Sequence, residues 1–504
     1  MSDRIQSSVY KSKVMSAEDA LQFINNGDNV GISGFTGSAY PKAMPKVIAD
    51  KAIAEREAGR EFKISLFTGA STAPECDGIL AEAGALKFRS PYQSDPSMRK
   101  AINAEEMEYQ DMHLSHLAQQ VQAGFWGPMN VAIVEASSID ADGHVIPASS
   151  VGNAQEFMDA ADKIILEVNS WQSEELRGMA DIWKMPLAPN RVAIPINDPG
   201  DRPGTIWYDV DPEKVVAVVE TNESDRNAPF KPLDDISKKI AANYLDLLDQ
   251  EVKAGRLTYD GLIMQSGVGN VPNAVMAGLL DESTSKFRNI KAYTEVIQDG
   301  MIDLIDAGLM TVASSTAFSL SPEYAEKMNK EAGNYTKSIV LRPQQISNHP
   351  EIVRRTNLVA ANGMIEADIY GNVNSTNVAG SRMMNGIGGS GDFIRNAGLS
   401  IFISPSDAKG GAISGIVPFA SHIDHTEHDT MVVITEYGVA DLRGCSPKQR
   451  VKKMIAVAHP DYRPLLEEYY EQALKATPFH HTPHDLAHAF DFHRRLIETG
   501  TMKK

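Results

Sequence analysis

Cysteine is nearly absent from this sequence: Cys76 and Cys445 are the two thiols among 504 residues. Two thiols do not build a disulfide scaffold, so the expected home is a reducing one, the cytoplasm. Long apolar runs are missing as well. No stretch approaches the ~18 consecutive apolar residues that would suggest a membrane span. Met1 leads into Ser2, Asp3 and Arg4 with no apolar signal segment. Positive charge is in deficit, with Lys plus Arg at 48 against Asp plus Glu at 66, a net charge of −18. Such a surface repels nucleic acid and anionic membranes, and neither is expected as a partner. An anionic small ligand is still compatible, since it needs only local cations and backbone N–H groups. Two nucleotide signatures are also lacking. There is no Gly-x4-Gly-Lys-Ser/Thr loop, and Gly267-x-Gly269 has no third glycine.

What is present suits a folded protein with sizeable cores: 42% of residues are apolar and 23% charged. At roughly 150 residues per domain the length allows about three units, or two large ones. Short apolar runs alternate with amphipathic segments, which reads as α/β. Ser16–Ala17–Glu18–Asp19 is a capping box opening a helix that stops near Gly27. Val30–Gly31–Ile32, Phe62 to Phe67, Val131 to Val134, Ile164 to Val168 and Val215 to Val219 read as strands. Pro232 opens a long helix with Ile236, Ile240, Tyr244, Leu247 and Val252 on one face. Asn227–Ala228–Pro229 before it is a linker, giving expected domains at 1–228 and 229–504.

The second half repeats landmarks of the first in the same order. Ile32–Ser33–Gly34–Phe35–Thr36–Gly37 matches Gln265–Ser266–Gly267–Val268–Gly269–Asn270, and Pro41 and Pro272 follow them. Lys63–Ile64–Ser65–Leu66–Phe67–Thr68 matches Asn289–Ile290–Lys291–Ala292–Tyr293–Thr294. Glu135–Ala136 precedes a turn at Asp142–Gly143–His144–Val145, and Glu366–Ala367 precedes one at Tyr370–Gly371–Asn372–Val373. One asymmetry stands out. After the matched Thr, the first copy has Gly69 and the second has Glu295. Ligands of open α/β sheets bind beyond the carboxyl ends of strands, so Glu295 is a functional candidate; a satisfied strand-end carboxylate is the alternative.

Glycine is concentrated in two places. Gly267–Val268–Gly269–Asn270–Val271 follows a strand and precedes a helix, as an acyl-ligand cradle or a plain tight turn would. Asn385–Gly386–Ile387–Gly388–Gly389–Ser390–Gly391 is richer still. Ordering so many glycines is costly, and such backbone commonly lies close against something; a flexible surface loop is the alternative. Lys409–Gly410–Gly411 is a candidate for the local cation.

These segments, with Glu295–Val296–Ile297–Gln298–Asp299–Gly300 and Thr435–Glu436–Tyr437–Gly438–Val439–Ala440–Asp441–Leu442–Arg443–Gly444, resemble the acetyl-CoA hydrolase/transferase family of class I CoA-transferases. The likeness runs from Ser33 to Met502 and is strongest to bacterial members that move CoA from succinyl-CoA to acetate. It implies two related open-sheet α/β domains of the CoA-transferase/NagB-like type, with the active site in the interdomain cleft and the nucleophile in the C-terminal domain. It implies Glu295 as nucleophile and the amides of Val271 and Gly389 as oxyanion donors. CoA contacts are expected from Gly267, Val268, Gly269, Asn270, Val271, Asn385, Gly389 and Lys409, and carboxylate contacts from Ser71, Arg226, Asn348 and Glu436. Glu436 is expected to orient Arg226 or Asn348. CoA enters as substrate and transient covalent adduct, with no tightly bound cofactor and no metal. A homodimer is the family expectation, with acyl-CoA and small carboxylates as the partners. A carboxylate nucleophile of ordinary pKa needs no base at neutral pH.

Other signals fit this chemistry less well. His422–Ile423–Asp424–His425, with His428, and the group His480, His481, His484, His488 and His493 have metal-like spacing, but structural or solvated histidines explain them and no step needs a metal. His484 and His488 are expected four apart on one helix. An acetyl-CoA hydrolase using the same residues, a transferase with another short-chain acyl specificity such as propionate or butyrate, and a non-catalytic acyl-CoA sensor on the same scaffold are the competing functions.

Overall fold

The computed structural model describes residues 3–281 and 283–504; Met1, Ser2 and Glu282 lie outside the described residues. The chain forms two compact units. The first comprises Met1–Pro229, Lys291–Ile305 and Met310–Thr356; the second comprises Phe230–Ile290, Asp306–Leu309 and Asn357–Lys504. The first break falls within a residue of the linker expected from sequence. The segment carrying Glu295 nevertheless belongs with the first unit, unlike the expected division at 228/229. Tertiary hydrogen bonds explain this: Val151 N–H donates to the Thr316 carbonyl (2.9 Å) and Gln344 N–H to the Gly152 carbonyl (2.8 Å).

The first unit is built on a sheet of eight strands: β1 (Asn29–Ile32), β2 (Ile64–Phe67), β3 (Leu86–Ser90), β4 (Glu108–Tyr109), β5 (Met129–Ile139), β6 (Val145–Pro147), β7 (Ala161–Asn169) and β8 (Val215–Thr221). Their order is β4-β3-β2-β1-β5-β7-β8, all parallel, with β6 antiparallel on β5. A parallel sheet is covered on both faces, which is why its strands read as continuous Val/Ile runs. Val30, Ile32, Leu66, Ile133 and Ile165 pack with Ile48 and Ala52 of the helix Met44–Glu57 in one core.

A polar layer pins the loop after β1. Glu167, on β7, accepts the N–H groups of Lys42 (2.7 Å) and Met44 (2.7 Å), so it caps the start of that helix from a neighbouring strand. Lys42 Nζ lies 2.7 Å from Glu135 and 3.0 Å from Asp225, all three side chains being buried. Asp225 also accepts Ala39 N–H at 3.0 Å. The loop is tight enough to dictate sequence nearby. A Cβ at Gly69 would sit 2.5 Å from the Gly34 carbonyl oxygen, so the first copy has no room for a carboxylate where the second places Glu295.

In the second unit the strands Ile263–Ser266, Val359–Gly363, Leu399–Ile403 and Val432–Thr435 are neighbours in that order and parallel; Gly438–Asp441 closes the edge antiparallel. They match β1, β5, β7 and β8. The run Ile290–Tyr293, Met310–Ser315, Ile339–Leu341, which falls in the first unit apart from Ile290, likewise matches β2, β3, β4. The antiparallel pair Glu366–Asp368 with Val373–Asn374 answers the β5–β6 hairpin. The molecule is therefore α/β, with the internal repeat seen in sequence realised as repeated strand order.

Three local expectations shift. Ser16 caps a helix by accepting Asp19 N–H, but that helix spans only Ala17–Ala20 and ends in a 3₁₀ turn at Leu21–Phe23. The long helix begins at Asp235 rather than Pro232, because the Asp234 side chain accepts Ser237 N–H and fixes the cap. Its buried face holds Ile240, Tyr244 and Leu247, while Ile236, still in the first turn, is exposed. His484 and His488 lie in a turn region, not on one helix. His484 Nδ1 is 2.8 Å from the Tyr469 hydroxyl, and His488 Nδ1 is 2.8 Å from Asp485.

Candidate active site

Glu295 follows the strand Ile290–Tyr293 and precedes the short strand Val296–Ile297. Its backbone is fixed by N–H groups of Thr316 (3.0 Å) and Ala317 (3.3 Å), which both donate to its carbonyl. Its side chain is fixed by Asn348, whose Nδ2 donates to Oε1 at 2.8 Å. Asn348 is itself oriented. It is fully buried, and the Ser347 hydroxyl, 2.8 Å away, donates to its Oδ1, which leaves the Nδ2 side facing Glu295. The Glu295 surface is only partly covered, yet desolvation of the carboxyl dominates and pushes its pKa up to about 7 against the one opposing hydrogen bond from Asn348. This corrects the expectation of an ordinary carboxylate. Near pH 7 the group is about half protonated, and when ionised it is more basic than a solvated glutamate.

Two more of the expected carboxylate-binding residues lie in the same unit. Ser71 is buried in the loop after β2; its hydroxyl faces Asp77 Oδ2 at 3.1 Å and accepts Ser94 N–H at 3.1 Å. Asp77 in turn meets Arg89 Nη2 at 3.1 Å and Thr72 N–H at 2.9 Å, so Ser71 is held by a buried ionic network. Arg226 is placed by its backbone, whose N–H donates to the Gly37 carbonyl at 2.9 Å. A Cβ on Gly37 would lie 2.2 Å from the Arg226 carbonyl oxygen, which explains the glycine. The Arg226 guanidinium reaches Glu75 at 3.0 Å, with both side chains about half exposed (55% and 47%). An ion pair so wet is worth ~0–1 kcal/mol and can be exchanged for a ligand carboxylate.

The remaining predicted residues lie in the second unit. Gly269 has φ 126°, accessible to glycine, and caps the helix Asn270–Leu280. Val271 is therefore in the first turn, where N–H groups lack intrahelical acceptors. Gly267 and Val268 complete the turn, with Val268 exposed. Asn270 Nδ2 donates to Asp234 at 3.0 Å, tying the turn to the cap of the long helix. Asn385, Gly388 and Gly389 form the second glycine turn; Gly389 is buried and caps the helix Ser390–Ile394. Lys409, at φ 51°, is exposed and makes no ion pair among the described residues. Glu436 follows the strand Val432–Thr435 and accepts Ser406 N–H (2.9 Å) and the Ser406 hydroxyl (2.6 Å). Ser406 is thus a group that holds Glu436 within its own unit.

Ser347 and Ser406 were missed from sequence. Neither spacing nor composition marks a serine whose role is to orient a neighbouring amide or carboxylate. The Ser347–Asn348 doublet was the sole signal available.

Comparison with known proteins gives the family. Residues 1–220 match the acetyl-CoA hydrolase/transferase N-terminal domain, and residues 325–470 match the corresponding C-terminal domain. The chain belongs to the acetyl-CoA hydrolase/transferase family. It is 47% identical to a succinyl-CoA:acetate CoA-transferase from Clostridium kluyveri, over 99% of this chain and 92% of that one. It is 44% identical to a propanoyl-CoA:succinate CoA transferase from Escherichia coli, over 97% and 98%. It is 40% identical to an acetyl-CoA hydrolase from Schizosaccharomyces pombe, over 100% and 98%. Among solved structures, RipA from Yersinia pestis superposes with a TM-score of 0.72 at 24% identity, covering 92% of this chain and 98% of that one. A 4-hydroxybutyrate CoA-transferase from Porphyromonas gingivalis gives 0.63 at 21%, over 92% and 98%. Both share the fold. This member of the acetyl-CoA hydrolase/transferase family is accordingly an enzyme of CoA-thioester chemistry.

Proposed function

We propose that the protein is a CoA-transferase that moves CoA from succinyl-CoA to acetate through a thioester on Glu295. The observation that carries this reading is the Glu295 carboxylate itself, raised in basicity by burial and aimed by a fully buried Asn348.

The ionised Glu295 attacks the thioester carbonyl of succinyl-CoA. The tetrahedral oxyanion collapses, expelling CoA thiolate and leaving a succinyl–glutamyl anhydride. The thiolate attacks the glutamyl carbonyl and expels succinate, forming the enzyme–CoA thioester. Acetate attacks that thioester, releasing thiolate again, and the thiolate attacks the acetyl carbonyl to give acetyl-CoA and free Glu295. Each step exchanges one acyl bond for another, so one difficult transfer becomes several easier ones. In this reading the amides of Val271 and Gly389 receive the oxyanion, a donor of this kind being worth ~3 kcal/mol in other enzymes. Gly267 to Val271, Asn385 and Lys409 bind CoA, whose binding energy serves the reacting centre. Arg226 leaves Glu75 to take the carboxylate bidentately. Ser71, Asn348 and Glu436 complete the acid site. No resident cofactor is used, and the working state is a cytoplasmic homodimer.

The test is an intact-protein mass spectrum taken after rapid mixing with succinyl-CoA and quenching. A CoA-sized gain on Glu295 that acetate discharges is expected. The relatives named as acetyl-CoA hydrolases favour a second reading, in which water discharges the same adduct. A gain lost in buffer as fast as with acetate selects that hydrolase. Succinyl-CoA bound without any covalent gain refutes both.

A further inference from the structure

His425 carries a role that its place in a histidine-rich stretch concealed. It is buried, packed 5.1 Å from the Phe402 ring, and its backbone N–H donates to the Val373 carbonyl at 3.1 Å. The neighbouring Asp424 carboxylate accepts Ser375 N–H (2.7 Å) and the Thr376 hydroxyl (2.9 Å), so the segment before His425 is anchored on both sides. The imidazole Nε2 lies 3.0 Å from the Ser390 hydroxyl oxygen. That hydroxyl is committed elsewhere as a donor, 2.8 Å from the Ile387 carbonyl oxygen. A serine has one hydroxyl proton. Nε2 also lies 3.3 Å from the Ser375 hydroxyl oxygen, whose own proton faces Asp424 Oδ2 at 3.4 Å. With the two serine protons on Ile387 and Asp424, His425 Nε2 carries a proton that points between the two hydroxyl oxygens, Ser390 being the nearer.

The chain His425 Nε2–H to Ser390 Oγ–H to Ile387 C=O closes the turn Ile387–Ser390. The central residues are Gly388, at φ 60°, and Gly389, at φ −92° and ψ 0°, the φ pattern of a type II′ turn. The middle peptide of that turn carries the Gly389 N–H. Neither glycine has a side chain to restrain it, so the restraint comes from the hydrogen-bond chain across the turn.

We propose that His425 is a positioning residue for the Gly389 amide, acting through Ser390. The inference rests on the reading of Gly389 as an oxyanion donor. His425 touches no reacting atom; it keeps the donor where the oxyanion forms. An amide that must meet an oxyanion within hydrogen-bonding distance loses effect when its turn relaxes.

The experiment compares His425→Leu, His425→Gln, Ser390→Ala and the double variant His425→Leu/Ser390→Ala, with Glu295→Gln as control. It reads kcat, the KM for succinyl-CoA, and the single-turnover rate of enzyme–CoA adduct formation. His425→Leu and Ser390→Ala are each expected to lower kcat and the adduct rate about 10- to 100-fold, short of the ~10²–10³ for outright loss of a donor, with KM moving under about threefold. The double variant is expected to be no slower than either single one, as for residues in one chain. Glutamine carries an N–H donor where Nε2 stood, so His425→Gln is expected to recover most of the rate. Unchanged kcat in Ser390→Ala, effects that multiply in the double variant, or a rate loss that merely follows the fraction of enzyme unfolded overturns the proposal. A Glu295→Gln enzyme that still transfers CoA refutes the proposed function instead. An inactive Glu295→Gln beside fully active His425 and Ser390 variants refutes the positioning role alone.

Discussion

Replacing Glu295 by Gln tests the link between burial and chemistry through stability rather than rate. The carboxyl has a folded-state pKa of about 7 against 4.5 for an unperturbed glutamate. The unfolded chain therefore releases this proton at lower pH than the folded protein does. Below pH ~4 both states hold the proton and the group is neutral in its effect. As pH rises through the window between the two values, the unfolded state gains, and the folded protein loses stability until ionisation is complete above about pH 8. A difference of about 2.5 pKa units at 1.36 kcal/mol each gives a loss of up to about 3 kcal/mol; partial exposure of the site makes that an upper figure. Glutamine keeps the shape and the acceptor for Asn348 but cannot ionise. The stability difference, Gln minus Glu, should therefore grow by up to about 3 kcal/mol between pH 4 and pH 8. For a chain of 504 residues at ~2 cal/mol/K per residue, that is up to about 3 °C in Tm. The assay is thermal or urea unfolding of both proteins across this range. An unpartnered Gln amide adds a constant offset, so the diagnostic is the pH dependence. A difference that stays flat from pH 4 to pH 8 refutes the desolvated carboxylate.

The remaining predictions use other parts of the same geometry. Single-turnover formation of the CoA adduct should rise with pH through an acid limb near pH 7, set by Glu295; a limb near 4.5 would mean the carboxyl is solvated when it reacts. Arg226→Ala should raise the acceptor KM at least tenfold while moving Tm little, since its ion pair with Glu75 is half exposed; titration with acetate checks the first and melting the second. Glu251, buried between Arg256 and Arg443, is pulled down to about 2 by their hydrogen bonds. Its contribution should be fully present above pH ~4.5 and be lost as pH falls toward 2, so Glu251→Gln should flatten that part of the acid-unfolding curve. Gly69→Ala should cost ~1–3 kcal/mol of stability by urea titration, because its methyl would meet the Gly34 carbonyl oxygen at 2.5 Å; an unchanged midpoint would show that the loop after β1 yields freely.

Periodicity determined much of this protein. Every strand read in the first 220 residues is a strand of the first sheet, because a parallel strand buried on both faces must be apolar throughout and that pattern is local. The internal repeat was legible for the same reason, and so was Glu295, as the one carboxylate that breaks it. Helix ends were less legible. Asp234, not Pro232, starts the long helix, since a side-chain cap outweighs a permissive proline. Tertiary structure alone decided which chemistry Glu295 can do. Its raised pKa comes from desolvation, and desolvation depends on neighbours remote in sequence. Asn348 lies 53 residues from it, Ser347 orients that amide, and Ser406 holds Glu436 from 30 residues away. The histidines show the same division. Their spacing suggested a metal or nothing, whereas folding places His425 against Ser390, 35 residues away, and gives it a hydrogen-bonded turn to hold. Local pattern encodes which face of an element is buried; the identity of a hydrogen-bond partner across tens of residues is written only in three dimensions.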